Sequence, residues 1–65
     1  MEIEILTIAE VAAMLKLSKR TIAELMTPRT RSGDVREYPL PYLKIGRSVR
    51  FRRSDVESWI EKLTR

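Results

Sequence analysis

Cysteine and histidine are both absent from the 65 residues. Their absence removes disulfide staples, thiolate or imidazole metal sites and imidazole general bases, so a hydrophobic core must hold the fold together. No apolar stretch approaches the roughly 20 residues of a membrane span, and the acidic start Met1-Glu2-Ile3-Glu4 lacks the basic-then-apolar plan of a signal peptide. A cytoplasmic protein with no membrane partner is expected. The length allows one small domain over residues 1–65, with no second core and no pocket walled on all sides. Carboxylates are not clustered as a nuclease would need, and no glycine-rich phosphate loop is present. Neither an enzyme nor a cofactor is expected. No internal repeat or sustained heptad is visible.

Positive charge is what the chain does have. The formal net charge is +4, yet between Lys19 and Arg53 ten basic residues face three acidic ones, a local +7, while the flanking segments are net acidic. Charge gathered this way suits a polyanion, although a solvated basic surface would look the same by charge alone.

Thr7 and Glu10 form a capping box, and Ile8, Val11, Ala12 and Leu15 fall on one helical stripe, which predicts a helix over 8–15. Lys16-Leu17-Ser18 is a turn without the glycine often found there, and Ser18 is a good N-cap for a second helix over 19–26. Ile22, Leu25 and Met26 form the buried stripe of that helix, leaving Arg20, Ala23, Glu24 and Thr27 outward. Helix, three-residue turn and helix match the spacing of a DNA-reading helix-turn-helix. Pro28, Gly33, Pro39 and Pro41 break any regular element in 27–41, which reads as an insertion loop carrying Arg29, Arg31 and Arg36. A small extra hairpin around Ser32-Gly33-Asp34 is too weakly patterned to assign.

Residues 42–52 read as a β-hairpin. A three-residue loop Gly46-Arg47-Ser48 sets Ile45 opposite Val49, Leu43 opposite Phe51 and Lys44 opposite Arg50, with every apolar residue on one face. A two-residue loop would pair Lys44 with Val49 and mix the faces, so the three-residue register is expected. The resulting Lys44–Arg50 pair costs a few tenths of a kcal/mol unless an anion such as a phosphate rests on it. Ser54 and Glu57 then suggest a second capping box, and Val56, Trp59, Ile60 and Leu63 a closing helix over 55–63 with Trp59 as a core anchor.

The segments Leu6-Thr7-Ile8-Ala9-Glu10-Val11-Ala12, Leu17-Ser18-Lys19-Arg20-Thr21-Ile22, Tyr42-Leu43-Lys44-Ile45-Gly46-Arg47 and Val49 to Ile60, in that order, resemble the excisionase-like branch of the MerR-type winged helix-turn-helix superfamily. The resemblance implies a mainly α fold with a two-stranded wing, the second helix in the major groove and the wing on the backbone or in the adjacent minor groove. Ser18, Lys19, Arg20 and Thr21 then correspond to the start of the recognition helix, and Arg47, Ser48 and Arg50 to the wing tip. The long 27–41 segment departs from the family pattern and leaves the pose of wing against helix open. No long dimerisation helix follows, so no small-molecule effector is expected.

Arg20 is the candidate for guanine edges, and Lys19 and Thr21 for phosphates. Ser18 doubles as a cap, and Glu24 either accepts from cytosine or deters a wrong phosphate approach. Lys44, Arg47, Ser48 and Arg50 make the wing candidates. Arg52 and Arg53 lie beside a positive helix end, where an anion is needed. Arg29 and Arg31 are possible loop contacts. The expected function is sequence-specific binding of double-stranded DNA, as an excisionase-like architectural factor or a regulator of a mobile element. A recombinase, or another copy of the chain on an adjacent site, is a possible further partner. The alternative is a protein-interaction module whose basic face docks an acidic partner.

Overall fold

A computed structural model describes residues 3–64, in the order β1 (Ile5–Leu6), α1 (Ile8–Leu15), α2 (Lys19–Met26), β2 (Leu43–Ile45), β3 (Ser48–Arg52) and α3 (Arg53–Leu63). Three helices and a small antiparallel sheet make a winged helix-turn-helix. No described helix is long and apolar enough to cross a membrane.

Local signals set the first two helices. The Thr7 amide donates to Glu10 Oε1 at 2.8 Å and the Glu10 amide donates to Thr7 Oγ1 at 3.2 Å, closing the capping box. Val11 and Ala12 are then buried, with Ile8 and Leu15 beside them. Lys16 ends α1 in the left-handed region at φ 58°, and the Leu17 amide reaches back to the Ala12 carbonyl at 2.9 Å. The αL position that glycine usually fills is thus taken by a lysine, at some cost in strain. Ser18 Oγ accepts from the Thr21 amide at 3.1 Å and starts α2, which is anchored by the fully buried Ile22.

The wing differs from expectation in three ways. First, it is a three-stranded sheet rather than two-stranded: β1 pairs with β3 through Ile5–Arg52 and Leu6–Phe51, giving the order β1-β3-β2. Second, the hairpin loop is the two residues Gly46-Arg47, with Leu43 opposite Arg50, Lys44 opposite Val49 and Ile45 opposite Ser48. Gly46 has φ 63° and Arg47 has no positive φ, which fits the tight turn with glycine at its first central position. Turn chemistry therefore overrides face segregation. Val49 and Phe51 turn inward, Leu43 and Ile45 share the outer face with Arg50, and the Lys44–Arg50 like-charge pair does not form.

Third, α3 begins at Arg53 rather than 55, and Ser54 does not cap it. The N-cap is Arg52, which has no capping side-chain hydrogen bond. Strand β3 runs straight into the helix, and the Arg53 amide donates to the Glu4 carbonyl at 3.0 Å. The cap is supplied by the segment entering β1, a partner 49 residues away that no local motif announces.

The segment between α2 and β2 is also built differently from a plain insertion loop. Arg29 and Val35 form an antiparallel bridge, Thr30 N donates to Asp34 O at 2.8 Å and Arg36 N donates to Pro28 O at 2.8 Å. Leu40 is buried in the core with Leu6, Val11, Ala12, Ile22, Phe51, Val56 and Trp59. Its amide donates to the Leu25 carbonyl at 2.9 Å, and the Trp59 indole N–H donates to the Tyr38 carbonyl at 2.6 Å. Trp59 is the expected core anchor, and its one polar atom clamps this segment to α3.

Two stability predictions follow from this packing. Leu40→Ala should cost about 2–4 kcal/mol, most of the roughly 3–5 kcal/mol available to a core of this size. The exposed Val35→Ser should change stability by no more than about 0.5 kcal/mol. Equal effects in urea unfolding would show that the segment is an appendage. Lys16→Gly should raise stability by about 0.5–1 kcal/mol by relieving the αL strain, read as a higher urea midpoint at unchanged slope.

Candidate nucleic-acid interface

Burial of Ile22 on one side of α2 turns Lys19, Arg20, Ala23, Glu24 and Thr27 to solvent on the other. Ala23 leaves a low spot between longer side chains, so a flat or grooved partner could approach the helix backbone there. The Ser18 and Thr21 hydroxyls lie 2.9 Å apart and bond to each other as well as to the cap. Lys19 has no carboxylate partner among the described residues.

Glu24 is a junction. Its Oε1 lies 3.9 Å from Arg20 Nε, one turn back, and accepts from Arg31 Nη2 at 2.9 Å. The Thr27 hydroxyl lies 2.7 Å from the Glu24 carbonyl and 2.8 Å from the Arg29 carbonyl, tying the end of α2 to the start of the loop. These contacts set Arg31 beside the outward face of α2. Arg29 is spent differently, donating through Nη1 to the Gly33 carbonyl at 3.0 Å to brace its own loop. The Glu24–Arg31 link joins α2 to the loop beyond Pro28, where helical periodicity no longer applies, so no sequence signal could have found it.

On the wing, Arg47 and Ser48 stand exposed at the turn. Lys44 is exposed on the same side of the ribbon as Val49. Arg50 is half-buried and folds back, donating through Nη1 to the Val49 carbonyl at 2.8 Å. Arg52 is exposed on the outer face across from Ile5. Arg53 has the anion its position demands, supplied by the chain itself: Glu4 at 3.0 Å and Glu57 at 3.4 Å. The hydrogen bond and charge of Glu4, followed by those of Glu57, raise the Arg53 pKa above its already high ordinary value. The guanidinium therefore stays charged, and the positive end of α3 is balanced without an outside phosphate.

Lys19 and Arg20 on α2, Arg31 beside it and Arg47 at the wing tip are cationic donors on exposed positions. Charge-assisted donors of this kind bind phosphate and read guanine edges. A family model described as a helix-turn-helix domain matches residues 5–64. No curated protein and no solved structure gives a significant match to the chain.

Glu24→Gln tests the junction. Both of its ion pairs are exposed, so stability should change by less than about 0.5 kcal/mol. Removing the carboxylate frees Arg20 and Arg31, so affinity for a random duplex should rise several-fold and the salt dependence should steepen by about one unit of slope. Unchanged affinity across a salt series would show that neither arginine faces the duplex.

Proposed function

The chain belongs to the excisionase-like helix-turn-helix domain family of small DNA-binding proteins, and from that premise we propose that it binds double-stranded DNA in a sequence-specific manner, with α2 as the recognition helix. The observation that carries this reading is the two-sidedness of α2. One side is fixed to the core through Ile22, and the other presents Lys19, Arg20 and Ala23 uncovered at the end nearest its N-terminus. A rigidly held helix with short and cationic outward side chains meets the geometric demand of major-groove insertion.

In this reading Arg20, whose side chain is 84% exposed, reaches base edges by exchanging its long 3.9 Å contact with Glu24 for a guanine. Lys19 and the hydroxyls at the helix start hold phosphates and set the register. Arg31, carried alongside α2 by the loop, takes a flanking phosphate, and Arg47 at the wing tip meets the backbone or a narrow minor groove. Arg50 and Arg53 serve the protein's own structure first. The biological role is to shape or mark a DNA site for other proteins, as an excisionase-like architectural factor or as a regulator of a mobile element.

Selection from a pool of random duplexes tests the proposal, because a reading helix enriches a defined motif and a merely basic surface enriches none. With that motif, Arg20→Ala should relax preference at one base position by about 1–3 kcal/mol, whereas Arg47→Ala should weaken all duplexes alike and lower the salt slope by about one. Retention of full preference and affinity in both variants would refute the assignment.

A further inference from the structure

Behind α2, on the side away from its outward residues, the 36–41 segment and α3 enclose an open groove. One end of it, about 570 Å3, is lined by Leu25, Arg36, Glu37, Tyr38, Trp59, Lys62 and Leu63. A second hollow shares Glu37, Tyr38, Trp59 and Lys62 and continues past Pro39, Pro41, Asp55 and Ser58. None of Lys19, Arg20, Ala23, Glu24 or Thr27 lines either part.

The first end is cationic on balance. Arg36 and Lys62 line it against the single carboxylate of Glu37, and the Arg36 guanidinium has no carboxylate partner among the described residues. Lys62 sits over the Tyr38 ring, its Nζ 5.9 Å from the centroid, so a second cation borders the same apolar surface. Tyr38 and Leu63 are exposed large side chains there. Two cations beside aromatic and aliphatic surface call for a carboxylate next to an apolar side chain. The far end shares Glu37 and Lys62 but has Asp55 where the first has Arg36, so its balance is acidic and disfavours acid there.

We propose that this groove docks an extended segment of a partner protein, one carrying an aliphatic or aromatic residue beside an Asp or Glu at the Arg36–Lys62 end and no acidic residue at the Asp55 end. The elongated, open shape suits a peptide strand better than an enclosed small molecule. Because its lining residues are separate from the outward side of α2, the groove can be occupied while DNA is bound, and it does not depend on which sequence α2 reads.

Panning a phage-displayed library of random dodecapeptides on the folded 65-residue chain tests this directly, with binding of the enriched peptides followed by the fluorescence of Trp59, its single tryptophan. Enriched peptides should share an acid-next-to-apolar pair. Their affinity should fall at least tenfold in Lys62→Glu, a solvent-exposed site where folding is not at stake, and in Arg36→Gln. A 20-base-pair duplex added to the complex should leave the peptide bound. No enrichment, enriched peptides without an acid, full binding to Lys62→Glu, or displacement by the duplex would each overturn the proposal. The last of these would assign the groove to the nucleic-acid face instead, and enrichment of sequences from the chain itself would assign it to a second copy. A failure of the protein to select any duplex would count against DNA reading by α2 and leave this groove untouched.

Discussion

Among the described residues, eight buried side chains hold this domain, and every other feature depends on where they come from. Leu6, Val11, Ala12, Ile22, Leu40, Phe51, Val56 and Trp59 are drawn from β1, all three helices, β3 and the 27–42 segment. With no disulfide or metal to assist, a chain of this length must recruit apolar residues from nearly every element to reach even a marginal core. The one element that gives none is β2. It is held by its ladder to β3, so the wing projects from the core as a ribbon attached along one edge. Helix α2 has the opposite constraint, being pinned by Ile22 from beneath. A fixed helix and a projecting ribbon follow from one packing decision.

Legibility in the sequence tracks the distance over which each interaction acts. Thr7–Glu10 and Ser18–Thr21 are contacts of three residues, and the side chains themselves announce them, so the helix-turn-helix and its outward residues could be read directly. The start of α3 could not, because its first amide is satisfied by Glu4 from the other end of the chain. Leu40 is a lone leucine between two prolines and offers no periodicity, yet it is among the most buried residues. The hairpin was misjudged for a different reason. Face alternation and turn preference pointed to different registers, and a glycine able to take φ 63° at the first turn position decided the matter. Putting Ile45 outside leaves an isoleucine exposed, a cost of about 1 kcal/mol that the tighter turn and aligned ladder offset.

Counting charges overstates what the basic segment offers to a partner. Arg29 braces its loop, Arg50 caps its neighbour's carbonyl, and Arg53 joins the start of α3 to Glu4 and Glu57. What stays unpaired among the described residues is smaller: Lys19 on α2 and Lys44, Arg47 and Arg52 on the wing, with Arg20 and Arg31 held only by the exposed Glu24 carboxylate. Spending arginines internally also limits indiscriminate attraction to any polyanion, since each committed guanidinium must first lose a hydrogen bond.

Connectivity, rather than the strength of any one exposed ion pair, separates these commitments. Arg53 holds two carboxylates and joins segments 49 residues apart, so releasing it would loosen the junction of β1, β3 and α3. The Glu24 pairs join exposed side chains, and pairs of that kind are worth only about 0–1 kcal/mol. A bidentate guanine contact is worth about 1–3 kcal/mol of discrimination, enough to take Arg20 from Glu24 when the base is right. Glu24 thus holds Arg20 and Arg31 in place at little cost and can yield either of them to a stronger anion. A carboxylate among these cations, which looks like a liability by charge alone, positions them while weakening the pull of any polyanion on them.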